Sequence, residues 1–135
     1  MSYEFLEHTA DVKFRAEGAT VEEMFSSAAD AMNDTIRGDI KILEQRAVTF
    51  DVDGKDLEEL LYNFLEEFLF LLDVEDFLVS SVKEISVKDN KLKAVVVGDF
   101  AENYKFTNDV KAVTYSEMKI EEVNGDYSCE VVLDV

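Results

Sequence analysis

The sequence predicts an α+β fold: two amphipathic helices packed on largely antiparallel β-sheet, in a single compact domain over residues 1–135. Three observations predict it. Two segments carry apolar residues at helical spacing, several others alternate apolar and polar residues, and two-residue hairpin signals stand at Asp89-Asn90 and Asn124-Gly125. At 135 residues the chain is close to the usual size of one domain, large enough to bury roughly two thirds of its unfolded surface. There is no proline, and no Gly/Ser-rich linker or long charge block marks a boundary. No strong short repeat stands out, although strand, helix and hairpin signals occur once in each half.

The first strand is predicted at Val12 to Ala16, where apolar and charged residues alternate, and Gly18 ends it. Thr20-Val21-Glu22-Glu23 reads as a capping box, and Val21, Met24, Phe25, Ala28, Ala29 and Met32 follow at helical spacing in a helix that fades before Gly38. Val48, Phe50 and Val52 form a second alternating strand that leads into Asp53-Gly54. Asp56 and Glu59 then cap a second helix. Its stripe of Leu57, Leu60, Leu61, Phe64, Leu65, Phe68, Leu69 and Leu72 is the main packing surface of the chain. Beyond it lie strands: Val82 to Lys88, Lys91 to Phe100, and a hairpin around Asn124-Gly125.

Thirty-one acidic residues against thirteen basic ones give a formal charge of -18, which repels a polyphosphate backbone and argues against direct nucleic-acid binding. The same charge suits a basic protein partner, divalent cations or plain solubility. Hydrophobic residues at 47% and ten phenylalanines exclude a disordered tail. Cys129 is the only cysteine, so no internal disulfide forms. No signal-peptide pattern and no unbroken apolar span is present, so a cytoplasmic, non-membrane protein is expected.

Phosphate-cradling glycine loops, zinc patterns and nucleophile elbows are all absent, and His8 is the single histidine. A hard-cation site remains possible because it needs only oxygen ligands. Two places gather polar groups beside apolar runs: His8-Thr9-Ala10-Asp11, and the end Val131-Val132-Leu133-Asp134-Val135. If the end is ordered, Asp134 beside the terminal carboxylate of Val135 sets two anions together, a repulsion that Mg²⁺ or Ca²⁺ is one way to relieve; the alternative is that Asp134 simply faces solvent. A tight hairpin at Asn124-Gly125 pairs Val123 with Asp126, Ile120 with Cys129, Lys119 with Glu130 and Met118 with Val131. Carried to the end, that ladder sets Asp134 opposite Tyr115 on the face away from the core, with Val113 and Lys111 on the same face. A bulge in between reverses the assignment. His8 is read as a turn histidine orienting Asp11, ahead of a metal ligand or a general base, and Lys111 as a cation near the acidic groups or an ordinary solvated lysine.

Three segments together resemble the archease family: Tyr3 to Val12, with its His-Thr-Ala-Asp motif; Lys111-Ala112-Val113-Thr114-Tyr115; and Val132-Leu133-Asp134-Val135. The resemblance implies a non-catalytic protein cofactor of an RtcB-type GTP-dependent RNA ligase that seals tRNA exons, promoting transfer of GMP to the ligase's histidine. It also implies a divalent cation, Ca²⁺ or Mg²⁺, held by Asp11, Asp134 and Val135, with Lys111 serving ligase activation. His8 and Tyr115 fall within the matching motifs. The chain departs from the family where His-Gly often follows the second segment, since Ser116-Glu117 stand here. Two other readings are open: a metal-dependent phosphoryl-transfer or hydrolytic enzyme using Asp11 and Asp134, and a cation-binding, chaperone-like module gripping clients with its second helix.

Overall fold

The chain builds two antiparallel sheets and two helices, described over residues 2–8, 11–108 and 110–135 of a computed structural model. In chain order the elements are β1 (Ser2–Leu6), β2 (Val12–Gly18), α1 (Val21–Arg37), β3 (Arg46–Asp53), α2 (Leu57–Glu75), β4 (Phe77–Lys88), β5 (Lys91–Phe100), β6 (Ala112–Val123) and β7 (Asp126–Asp134). One sheet runs β1-β2-β7-β6 and the other β3-β5-β4. Both predicted helices and the α+β class are borne out. β1 is a strand beyond those predicted, and β4 starts at Phe77 rather than Val82.

The strand, helix and hairpin signals that occur once in each half belong to a repeat with a fixed spacing. Gly18-Ala19-Thr20-Val21-Glu22-Glu23 recurs 36 residues later as Gly54-Lys55-Asp56-Leu57-Glu58-Glu59. In both copies the cap side chain accepts the N–H three residues on, Glu23 N to Thr20 Oγ1 at 3.1 Å and Glu59 N to Asp56 Oδ1 at 2.8 Å. The glutamate three residues after the cap reaches back in both, accepting from Ala19 N at 2.9 Å and from Lys55 N at 3.1 Å. Such reciprocal caps satisfy amide donors that the first helical turn leaves orphaned. Ser27 Oγ donates to Glu17 O in the first copy, and Asn63 Nδ2 to Asp53 O in the second, again 36 residues apart. Both glycines are required by close approach. A Cβ on Gly18 would lie 2.5 Å from Met24 N, and one on Gly54 2.6 Å from Leu60 N.

Each copy extends into the same strand–helix–hairpin unit. The inserted unit is β3-α2-β4-β5, with sheet order β3-β5-β4; the outer unit is β2-α1-β6-β7, with order β2-β7-β6, interrupted by the inserted one. Their helices share one core. Phe25 of α1 stacks on Phe64 of α2 at 5.7 Å, Phe64 meets Phe68 edge-on at 5.2 Å, and Phe14, Val131 and Leu133 of the outer sheet are fully buried beneath. Each such side chain contributes roughly 1.5–3 kcal/mol on leaving water. No helix among the described residues is long and apolar enough to cross a membrane.

The two hairpins differ in how they depart from a regular ladder. In β4–β5, Ser80 and Lys83 are each one residue in excess, so two single bulges restore the original facing. In β6–β7 the predicted pairs Val123–Asp126, Ile120–Cys129 and Lys119–Glu130 hold, but Thr114 then pairs with Val132. Four residues, Tyr115 to Met118, stand against the single Val131. An excess of three is odd, and it reverses every side chain beyond it. The predicted pairs Met118–Val131 and Asp134–Tyr115 are therefore wrong: Asp134 faces Ala112, and Val113 pairs with Leu133 and is 2% exposed in the core rather than on the outer face.

Candidate functional site

The end of the outer sheet where β2 begins and β7 ends brings together most of the residues singled out in the sequence. Val12 pairs with Leu133, and one step beyond that pair lie Asp11 and Asp134. Asp134 also pairs with Ala112 of β6, and its carbonyl accepts the N–H of Lys111 at 2.7 Å. Lys111 is thus beside the chain end through its backbone, closer than a straight ladder implies, with its side chain exposed. Among the described residues neither the Asp11 nor the Asp134 carboxylate takes part in a side-chain hydrogen bond or ion pair. Thr9 and Ala10 of the first motif lie outside the described residues.

Asp11 lines a cleft of about 320 Å³ with Phe5, Leu6, Val12, Lys13 and, from α1, Asp34 and Thr35. Asp34, not among the residues singled out in the sequence, accepts a hydrogen bond from Tyr3 of β1 at 3.3 Å. Its only sequence signal is Asp30 one helical turn earlier, a like-charged pair that needs a nearby cation. Arg37 lies near but is engaged elsewhere, its guanidinium donating to the carbonyls of Ile40, Val79 and Ser80; partial burial holds its pKa below the ordinary value, against a smaller upward effect of Asp34 and Asp30.

His8 does not bond Asp11. Its Nε2 donates to Glu117 Oε2 at 2.7 Å, and Lys13 Nζ donates to the other oxygen of Glu117 at 3.1 Å. Lys13 also meets Glu130 at 3.2 Å, and Lys119 reaches Glu130 at 3.5 Å, so a chain of charges runs over the outer face of the sheet. The hydrogen bond from His8, then that from Lys13, holds the Glu117 carboxyl below its usual range. Glu117 sits in the bulge with φ of 58°, a left-handed backbone that disfavours residues with a Cβ. Tyr115, at the other end of the bulge, is about half exposed and stacks on Tyr62 of α2 at 4.3 Å with rings 8° from parallel. The bulge thus sends Tyr115 to α2 and Glu117 to the opening loop, and neither side chain points at Asp134 from across the ladder.

The donors near the chain end fit a hard cation in chemical type, since Asp11, Asp134 and the main chain of Val135 offer only oxygens. Among the described residues no three His, Cys, Asp or Glu side chains are grouped to hold a metal. A cation there would draw on two carboxylates and main-chain oxygens, with water completing its shell.

These features define a small acidic two-unit α+β protein whose polar groups gather at the open end of one sheet. Comparison with known proteins then gives the family. The family model described as the archease protein family (MTH1598/TM1083) matches residues 3–135, and the chain belongs to that family. It is 39% identical to the protein archease of Pyrococcus furiosus, covering 98% of both chains, and 37% identical to that of Methanosarcina mazei, covering 98% of this chain and 95% of that one. The solution structure of protein 1598 from Methanobacterium thermoautotrophicum superposes with a TM-score of 0.82 at 33% identity over 98% of both chains. A Thermotoga maritima crystal structure described as an archease, possible chaperone, shares the fold with a TM-score of 0.70 at 20% identity, covering 96% of this chain and 94% of that one.

Proposed function

We propose that this protein is a non-catalytic activator of an RtcB-type GTP-dependent RNA ligase in tRNA splicing, promoting guanylylation of the ligase and its repeated turnover. Asp11, Asp134 and main-chain oxygen of Val135 hold a divalent cation, Ca²⁺ or Mg²⁺. Lys111 offers a positive charge beside them to a phosphate or an acidic group of the ligase. The observation that carries this reading is the β2–β7 register, which brings the aspartate of the first motif and that of the last segment to one strand end. Membership of the archease family supports it. So does the charge of -18, because an RNA-holding ligase surface is basic and an acidic partner docks on it at a rate steered by charge.

The deciding experiment follows guanylylation of the ligase with and without this protein. Stimulation is expected, and it should vanish in Asp11→Ala and Asp134→Ala together with calorimetric binding of Ca²⁺ and Mg²⁺. Lys111→Ala should fold and bind the cation as the parent does, because exposed substitutions usually shift stability by no more than ~0.5 kcal/mol, yet fail to stimulate. Unchanged stimulation by the aspartate variants would overturn the cation site, and hydrolytic turnover by the isolated protein would favour an enzyme instead.

A further inference from the structure

The repeat sets two sheet edges in equivalent positions, and they are treated differently. β2 has β1 along its outer edge, in the register Tyr3–Ala16 and Phe5–Phe14, so the aromatic side chains of β1 lie on the α1 side. Its counterpart β3 is an edge strand, with no strand paired on its outer side among the described residues. The clefts between strand and helix match as well. In the outer unit the cleft is lined by Val12, Lys13, Asp34 and Thr35, and β1 closes it with Phe5 and Leu6. The residues 36 positions on, Val48, Thr49, Phe70 and Leu71, line a groove of about 460 Å³ beside β3.

Phe70 takes the place of Asp34, the residue that receives Tyr3 from β1. It is 47% exposed, whereas the predicted stripe of α2 is buried or half-buried. Phe50 is 9% exposed where its counterpart Phe14, under β1, is fully covered. The α2 face above the β3 edge is therefore less covered than the matching face of α1 above β2. Glu67 stands in this groove where α1 has Ala31, with no ion-pair partner among the described residues, and burial raises its carboxyl above the ordinary value. Arg46, the one cation lining the groove among the described residues, is already seated 4.4 Å over the Phe100 ring.

We infer that the open edge of β3 accepts an extended segment of a basic partner protein, added antiparallel as β1 is on β2, with an aromatic side chain against Phe70 and a basic residue facing Glu67. An exposed edge offers unpaired main-chain groups, so strand addition supplies the affinity and the groove supplies the selectivity. A second copy of this chain is disfavoured by charge, since joining two molecules of formal charge -18 sets like fields together. The inference is independent of the ligase and cation readings.

The test uses the full chain, isotopically labelled, and a blocked pentapeptide Lys-Tyr-Lys-Lys-Lys, which keeps the aromatic that β1 presents to α1 at Tyr3 and puts a lysine on the same face at the position of Phe5. Amide shifts should be confined to residues 46–53 and 67–71, with hydrogen exchange slowed along β3. The same peptide with glutamate for lysine should leave the spectrum unchanged. Phe70→Asp should weaken binding by about tenfold or more, and Glu67→Lys should weaken it too; urea midpoints establish that both variants are folded. Shifts centred elsewhere, undiminished binding to the folded variants, or equal binding of the glutamate peptide would overturn the inference. So would a concentration-dependent dimer that protects the β3 amides.

Discussion

The two strand–helix–hairpin units share what builds them and differ in what one of them carries. Cap, glycine and helix-to-strand hydrogen bond recur at the same 36-residue spacing in both. The crossing that holds Asp11 and Asp134 in the outer unit is occupied in the inserted unit by Ala47 paired with Val97. Arg15 opposite Glu130 in the outer sheet becomes Asp51 opposite Lys93 in the inserted one. The local grammar of the fold is therefore indifferent to the chemistry at the strand ends. A site can be grafted onto one unit while the other is left apolar at that place.

The hairpins carry the contrast furthest, since two single bulges preserve facing in one and a triple bulge reverses it in the other. Val113 is the residue that distinguishes the alternatives. On an unbroken ladder it faces outward and tolerates a charge within ~0.5 kcal/mol. In the bulged hairpin it is buried opposite Leu133 and close to Glu66, whose carboxylate accepts its N–H at 2.9 Å. Val113→Asp should then destabilise the protein by about 3 kcal/mol or more, the cost of an uncompensated charge in the interior, as read from urea unfolding. A parent-like midpoint would break the comparison by restoring the straight register.

The elements that were legible in the sequence are those with local chemistry. Thr20 with Glu23, and Asp56 with Glu59, announce their helices because a cap is satisfied within four residues. Asn124-Gly125 sets the ladder correctly out to Lys119 and Glu130, as far as no residue is in excess. The triple bulge was not legible because Tyr115 to Met118 contains neither Gly nor Asn, and its left-handed position is filled by Glu117. The nearness of Asp11 to Asp134 came from the motifs rather than from the ladder. The ladder put Tyr115 at a place that Ala112 occupies. His8 and Asp34 found their partners, Glu117 and Tyr3, only across strands distant in sequence, where no local pattern reports them.

The equivalence of the two units is itself open to test at the glycines that precede each helix. A Cβ on Gly18 or Gly54 meets main-chain atoms of the first helical turn, which cannot swing aside as a flexible side chain could. Gly18→Ala and Gly54→Ala should each cost ~1–3 kcal/mol, the usual range for overpacking, and their urea midpoints should fall by similar amounts. Only one of the two being sensitive would mean that the repeat is a likeness of sequence without a shared constraint.

The smallest effect concerns Glu117, where the outer hairpin combines a left-handed backbone with contacts to His8 and Lys13. Removing the side chain in two ways separates these. Glu117→Ala keeps a Cβ at φ of 58°, and Glu117→Gly does not, so the glycine variant should be the more stable by about 1–2 kcal/mol. Glu117→Gln addresses the charge. Because the folded protein holds this carboxyl below its usual range through His8 and then Lys13, the stabilisation it provides is complete above the ordinary glutamate value, about 4.3. It is lost as pH falls through the lowered folded value. The parent should therefore exceed Glu117→Gln in urea midpoint near neutral pH, with the gap closing as the solution is acidified below about pH 4. A gap that stays constant down to that range would show that Glu117 acts through packing alone. The tie from the opening loop to the bulge would then owe nothing to its charge.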